Sequence, residues 1–97
     1  MRSHYGEWVF GEVKDSEWSE NHIAGRGITL DEVREAILQR PYWQQNGRSG
    51  SFLCYGTTQT GKHLLVVVVE DRPGVAFVVT AREMTGSEKK TFRRRAR

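Results

Sequence analysis

The chain has 97 residues, 37% of them apolar, and a formal net charge of +3, which suits one domain with a single small core. No apolar run approaches the roughly 18 residues of a membrane span, and no charged start leads into an apolar secretory signal. The one cysteine, Cys54, cannot form an internal disulfide, so we expect a cytoplasmic protein in which Cys54 is a small buried hydrophobe rather than a catalytic thiol.

The first third of the chain predicts one strand followed by one helix. Alternating apolar residues indicate a short strand at residues 6–13. Asp15 or Ser16 is a suitable N-cap for a helix running to about residue 24. Gly25 and Gly27 are expected to end that helix with left-handed backbone, which glycine adopts without steric cost.

A second helix is predicted from its capping residues. Thr29 and Glu32 form the Ser/Thr-x-x-Glu pattern of a capping box. An apolar stripe suitable for a core follows at Leu30, Val33, Ala36 and Ile37. Pro41 is expected to stop the helix after Arg40.

The pattern then changes to strands, which we predict at residues 41–45, 52–57, 63–69 and 75–79. Six consecutive apolar residues from Leu64 to Val69 predict a central strand that is buried on both faces. Pro73 and Gly74 fit the middle of a type II turn. Loops this short predict an antiparallel meander of three or four strands.

The C-terminal residues predict a basic helix. Thr85 and Glu88 form a second capping box, and Phe92 is the only large apolar residue available for docking. Residues 85–97 hold six of the fifteen Lys and Arg residues but one of the twelve acids. Such a cluster suits RNA, DNA or an acidic protein surface, and the alternative is a solvated helix that keeps the protein soluble. The whole pattern predicts one α+β domain.

Three segments of the chain resemble the BrnT family of type II toxin–antitoxin systems, which are small relatives of the RelE ribonuclease fold. They are residues 20–33 (ENHIAGRGITLDEV), residues 61–69 (GKHLLVVVV) and the passage TAREMT at residues 80–85, which leads into the basic helix. The family usually has Lys-His or a similar pair before the glycine, where this chain has Gly25 and Arg26. The Trp-Asp pair often found near the end of the first strand is also missing.

The resemblance implies a RelE-like fold and RNA cleavage that blocks translation, without a metal or another cofactor. It also implies neutralisation by a cognate antitoxin, with contact to DNA through that antitoxin. Two other interpretations stay open. One is a non-catalytic subunit that binds a partner protein, and the other is a small basic domain that only binds nucleic acid.

Metal-free RNA cleavage needs a proton acceptor, a proton donor and cations beside the phosphate. Arg82 is the main candidate, because it precedes the N-terminus of the last helix and its guanidinium can grip a phosphate through two bonds. The alternative is an arginine paired with Glu83 or another local acid. His22 and Arg26 are the further catalytic candidates, and they could equally be a structural histidine and a surface arginine.

The remaining cations would follow the RNA backbone electrostatically. They are Lys62, His63, Lys89, Lys90, Arg93 and Arg94. For Lys62 and His63 the alternative is a solvated strand end. Tyr42, Trp43 and Tyr55 could stack on unpaired bases or pack in the core or in a partner interface.

Overall fold

The computed structural model describes residues 10–97, so most of the predicted first strand lies outside the described residues. The elements are β1 (Glu12–Val13), α1 (Glu17–Ala24), α2 (Leu30–Ile37), β2 (Tyr42–Asn46), β3 (Phe52–Thr57), β4 (His63–Arg72), β5 (Val75–Glu83) and α3 (Gly86–Arg95). A short 3₁₀ turn at Arg48–Gly50 separates β2 from β3. The α+β class predicted from the sequence is confirmed.

The five strands form one mixed sheet in the order β1-β5-β4-β3-β2. Strands β2, β3, β4 and β5 are antiparallel neighbours in chain order. Strand β1 adds to the outer edge of β5 in parallel, with Glu12 opposite Val75. The turn before β5 has Gly74 at φ +82°, as a type II turn requires at its third position.

Both helices of the first half begin as predicted, and α1 also ends at the predicted Ala24, whereas α2 ends early. Ser16 caps α1, and the capping box of α2 is complete at Thr29 and Glu32. Gly25 has right-handed backbone (φ −62°), and it is Gly27 that takes the left-handed conformation (φ +73°). Helix α2 ends at Ile37, before the predicted Arg40. A proline also disfavours helical backbone in the residue before it, so the chain leaves the helix ahead of Pro41.

One face of the sheet, here called the core face, packs against α1 and α2. Leu64, Val66 and Val68 of β4 are completely inaccessible to solvent on this face. They join a cluster with residues of both helices, including Ile23, Val33 and Ile37. This cluster is the main hydrophobic core.

The opposite face, here called the open face, carries Leu65, Val67 and Val69 of β4. Helix α3 lies on one end of it, where Phe92 and Leu65 are buried together. Val67 and Val69 remain half-buried. The prediction that this strand is buried on both faces therefore holds only at the end beneath α3, because a helix of 10 residues cannot cover the whole strand.

Candidate functional site

A row of four side chains crosses the open face beneath α3. Arg82 lies opposite Leu65, Leu65 opposite Tyr55, and Tyr55 opposite Trp43 on the adjacent strands. Opposite residues of antiparallel strands place their side chains on the same face. Phe92 buries the middle of this row, whereas Arg82 at one end keeps 39% of its side chain exposed. The Trp43 and Tyr55 rings stack at 4.5 Å at the other end.

Arg82 is held by Glu88 in the first turn of α3. Its two terminal nitrogens each donate to one oxygen of the Glu88 carboxylate, both at 2.8 Å, and Nη1 also donates to the Glu83 carbonyl at 3.1 Å. Glu88 accepts from the Thr85 backbone N–H at 2.8 Å as part of the capping box, which is complete as predicted. The local acid that pairs with Arg82 is thus Glu88, and Glu83 contributes only its backbone.

The pairing shifts the titration of both groups. The hydrogen bonds from Arg82 lower the pKa of Glu88 to about 2, and the same contact raises the pKa of Arg82. Glu88 is therefore ionised at neutral pH, so it cannot donate a proton there, and its low pKa makes it a weak base. The sequence indicates Glu83 or another local acid as the alternative partner of Arg82, and the capping box, which places the Glu88 carboxylate at the start of α3, is the signal for Glu88.

His63 lies beside Arg82 on the open face. It is two residues from Leu65 on β4, which makes it the diagonal neighbour of Arg82, at a typical separation of about 7–8 Å. Its ring meets the Phe92 ring edge-on at 5.8 Å. Phe92 and Glu88 are one helical turn apart on α3, about 6 Å along the axis. Arg82 and His63 therefore flank the same stretch of α3.

The outward face of α3 forms a stripe of cations. Lys90, Arg93 and Arg94 have the i, i+3, i+4 spacing of one helix face, and all three are exposed. Lys89 is half-buried at the side of the same helix. The Arg97 backbone exchanges hydrogen bonds with Tyr42 of β2, at 3.1 and 3.0 Å. The basic segment is thus part of the fold and not a separate tail.

Lys62 and Arg26 lie in a different region. The Lys62 ammonium contacts Glu32 at 3.0 Å and the Gly27 carbonyl at 3.4 Å, and this lysine lowers the pKa of Glu32. Arg26 is exposed in the turn between α1 and α2. Neither residue joins Arg82 in the contacts of the open face.

His22 is also separated from Arg82, by most of the length of β5. Its ring stacks on Trp18 with centroids 3.8 Å apart, and Trp18 stacks on Phe77 at 5.5 Å. Trp18 is 48% exposed, so it lies outside the core. The i, i+4 spacing of Trp18 and His22 on α1 was the available signal for this pairing.

Cys54 is the one thiol of the chain, and it is fully buried on the core face. Burial raises the pKa of the Cys54 thiol to about 12, so it is unsuited to nucleophilic chemistry. This confirms its prediction as a buried hydrophobe. Within residues 10–97, no group of three or more His, Cys, Asp and Glu side chains could hold a metal, and no helix is long and apolar enough to cross a membrane.

Comparison with known protein families, curated proteins and solved structures finds no match to this chain.

Proposed function

We propose that this protein binds RNA at the open face and cleaves it without a metal, as the ribonuclease toxin of a type II toxin–antitoxin module with a RelE-like fold. The observation that carries the proposal is the juxtaposition of Arg82 and His63 beside the cationic stripe of α3. These two side chains are of the types that the reaction uses, a phosphate-binding cation and an imidazole that can act as a general acid or base.

The stripe of Lys90, Arg93 and Arg94 would hold the RNA backbone, giving an affinity that falls with salt. Arg82 would hold the scissile phosphate with the part of its guanidinium that remains exposed. Fixed cations at such a position contribute a few kcal/mol as negative charge develops. His63 would move a proton to or from the reacting oxygens, which is worth about 10²–10⁴-fold in rate.

The chemistry is tested with purified protein and RNA in excess chelator. The wild-type protein should cut the RNA, and H63A should be about 10²–10⁴-fold slower. R82A should lose both cleavage and growth arrest in cells that express it. R72A is the matched control, because Arg72 is an exposed arginine at the far end of β4 and should behave as wild type. Intact RNA and normal growth with the wild-type protein would contradict the proposal.

The Arg82–Glu88 pair favours a second candidate, a non-catalytic subunit that binds a partner protein. A guanidinium that already donates two 2.8 Å bonds to a carboxylate has fewer free donors and less uncompensated charge with which to hold a phosphate. This candidate predicts a tight protein complex without RNA cleavage. A pull-down performed beside the cleavage assay separates the two.

A further inference from the structure

The His22–Trp18–Phe77 stack has no role in the chemistry proposed above. Trp18 is the only exposed large hydrophobic residue in the part of the chain that the structure describes. It is held in place from two elements, because His22 belongs to α1 and Phe77 to β5. We propose that this stack is a binding site for an unpaired base of single-stranded RNA, an inference that rests on the proposed RNA binding.

The position of the stack places it on the open face, with the cations. Phe77 lies opposite Val69, which shares its face of β4 with Leu65, and Arg82 lies opposite Leu65. Phe77 and Arg82 are therefore at two ends of one strand surface, about 16 Å apart at the usual rise per residue. Other single-strand-binding domains, those with OB folds, cover roughly 4–16 nucleotides, and an RNA strand of that length is long enough to reach both sites.

The anchoring of α1 makes the stack rigid before RNA arrives. The Ser19 hydroxyl donates to the Val78 carbonyl at 2.7 Å, and Ile23 of the same helix is completely buried. These contacts fix α1 against β5, so Trp18 and His22 project from a fixed helix beside Phe77. Little conformational entropy is then lost when a base stacks on the exposed His22 side.

Charge distinguishes a base from a phosphate at this position. Helix α1 carries Glu17 and Glu20 and no Lys or Arg, so a phosphate would be repelled there. A neutral base is not repelled by these carboxylates, and every base has a flat face that stacks on aromatic rings. The RNA strand would thus contact α3 and Arg82 through its phosphate backbone, and it would contact the stack through one of its bases.

The test compares two labelled single strands of equal length, a 2′-O-methyl oligoadenylate and its abasic counterpart, by fluorescence anisotropy, because strands without a free 2′-hydroxyl are not cut during the measurement. W18L keeps an apolar side chain but removes the ring, so it should bind the oligoadenylate about 5- to 100-fold more weakly than wild type. Its affinity for the abasic strand should not change. H22L should behave like W18L, and H22F, which keeps a flat ring, should bind like wild type.

The variant R93A/R94A is the reference for backbone binding and should weaken binding of both strands. W18L with unchanged affinity for the oligoadenylate, or with an equal loss on both strands, would overturn the base site while leaving RNA binding intact. If the wild-type protein binds neither strand, the proposed RNA binding is contradicted, and so is the base site that rests on it.

Discussion

The two faces of the sheet differ in how completely they are covered. On the core face, α1 and α2 leave Leu64, Val66 and Val68 without solvent contact. On the open face, α3 buries Leu65 but leaves Val67 and Val69 half-exposed. The fold is thus stabilised mainly from one side, and the other side has room for aromatic and charged side chains that can meet a ligand. Four predictions, taken from the largest expected effect to the smallest, test this division.

The tightest packing on the core face is the approach of β3 to α2 at Gly56. A Cβ added there would lie 1.7 Å from the Ala36 carbonyl oxygen. Because backbone cannot move aside as a flexible side chain does, we expect G56A to lower the free energy of unfolding by about 3 kcal/mol or more. Chemical denaturation measures this. G86A is the matched control, since a Cβ at Gly86 meets nothing within 4 Å, and a loss as large as that of G56A would contradict the packing.

The docking of α3 on the open face depends on one ring. Phe92 is 4% exposed within the cluster of Tyr55, Leu65 and Met84. We expect F92A to cost about 3 kcal/mol of unfolding free energy, whereas K90A, at an exposed position of the same helix, should cost under about 0.5 kcal/mol. A loss for F92A as small as that for K90A in urea denaturation would show that the Phe92 ring does not hold α3 on the sheet. For the same reason, removing residues 91–97 would damage the fold, so charge substitutions are the better test of RNA binding.

Two adjacent valines of β4 allow the solvent exclusion of the two faces to be compared directly. Val66 points to the core face and is inaccessible, and Val67 points to the half-covered open face. A threonine hydroxyl without a partner is costly only where water cannot reach it. We expect V66T to lose about 2 kcal/mol and V67T under about 1 kcal/mol, measured by denaturation. Equal losses of unfolding free energy in the two variants would mean that water is excluded equally from both faces.

The Arg82–Glu88 pair predicts a pH dependence. The folded-state pKa of Glu88 is lowered to about 2, so its stabilisation is present above its unfolded value of 4.5 and is lost as the pH falls between the two. Since Arg82 is partly exposed and solvent screens the pair, we expect about 1 kcal/mol from this source.

The variant E88Q isolates that contribution, because glutamine also completes a capping box but carries no charge to titrate. Its stability should fall less steeply below pH 4.5 than that of the wild type. E83Q changes the neighbouring exposed carboxylate, which accepts no hydrogen bond from Arg82, and should keep the wild-type slope. Parallel curves for E88Q and wild type in acid denaturation would show that the pair does not stabilise the protein.

The local sequence was sufficient for the elements and their starts. Caps such as Thr29 with Glu32 and Thr85 with Glu88 act within one helical turn, so a short window of sequence reveals them. The strand at Phe52–Thr57 has the predicted bounds, and the meander follows from short loops. The buried state of Cys54 was likewise evident from its apolar neighbours.

The tertiary structure decided the partners of the functional candidates. Glu88 rather than Glu83 holds Arg82, His63 rather than His22 lies beside it, and Trp18 stacks on Phe77. Each of these contacts depends on how far α3 extends over the sheet and on where α1 crosses β5. Those positions come from packing between residues distant in sequence, whereas caps and strand periodicity reflect interactions between neighbours along the chain.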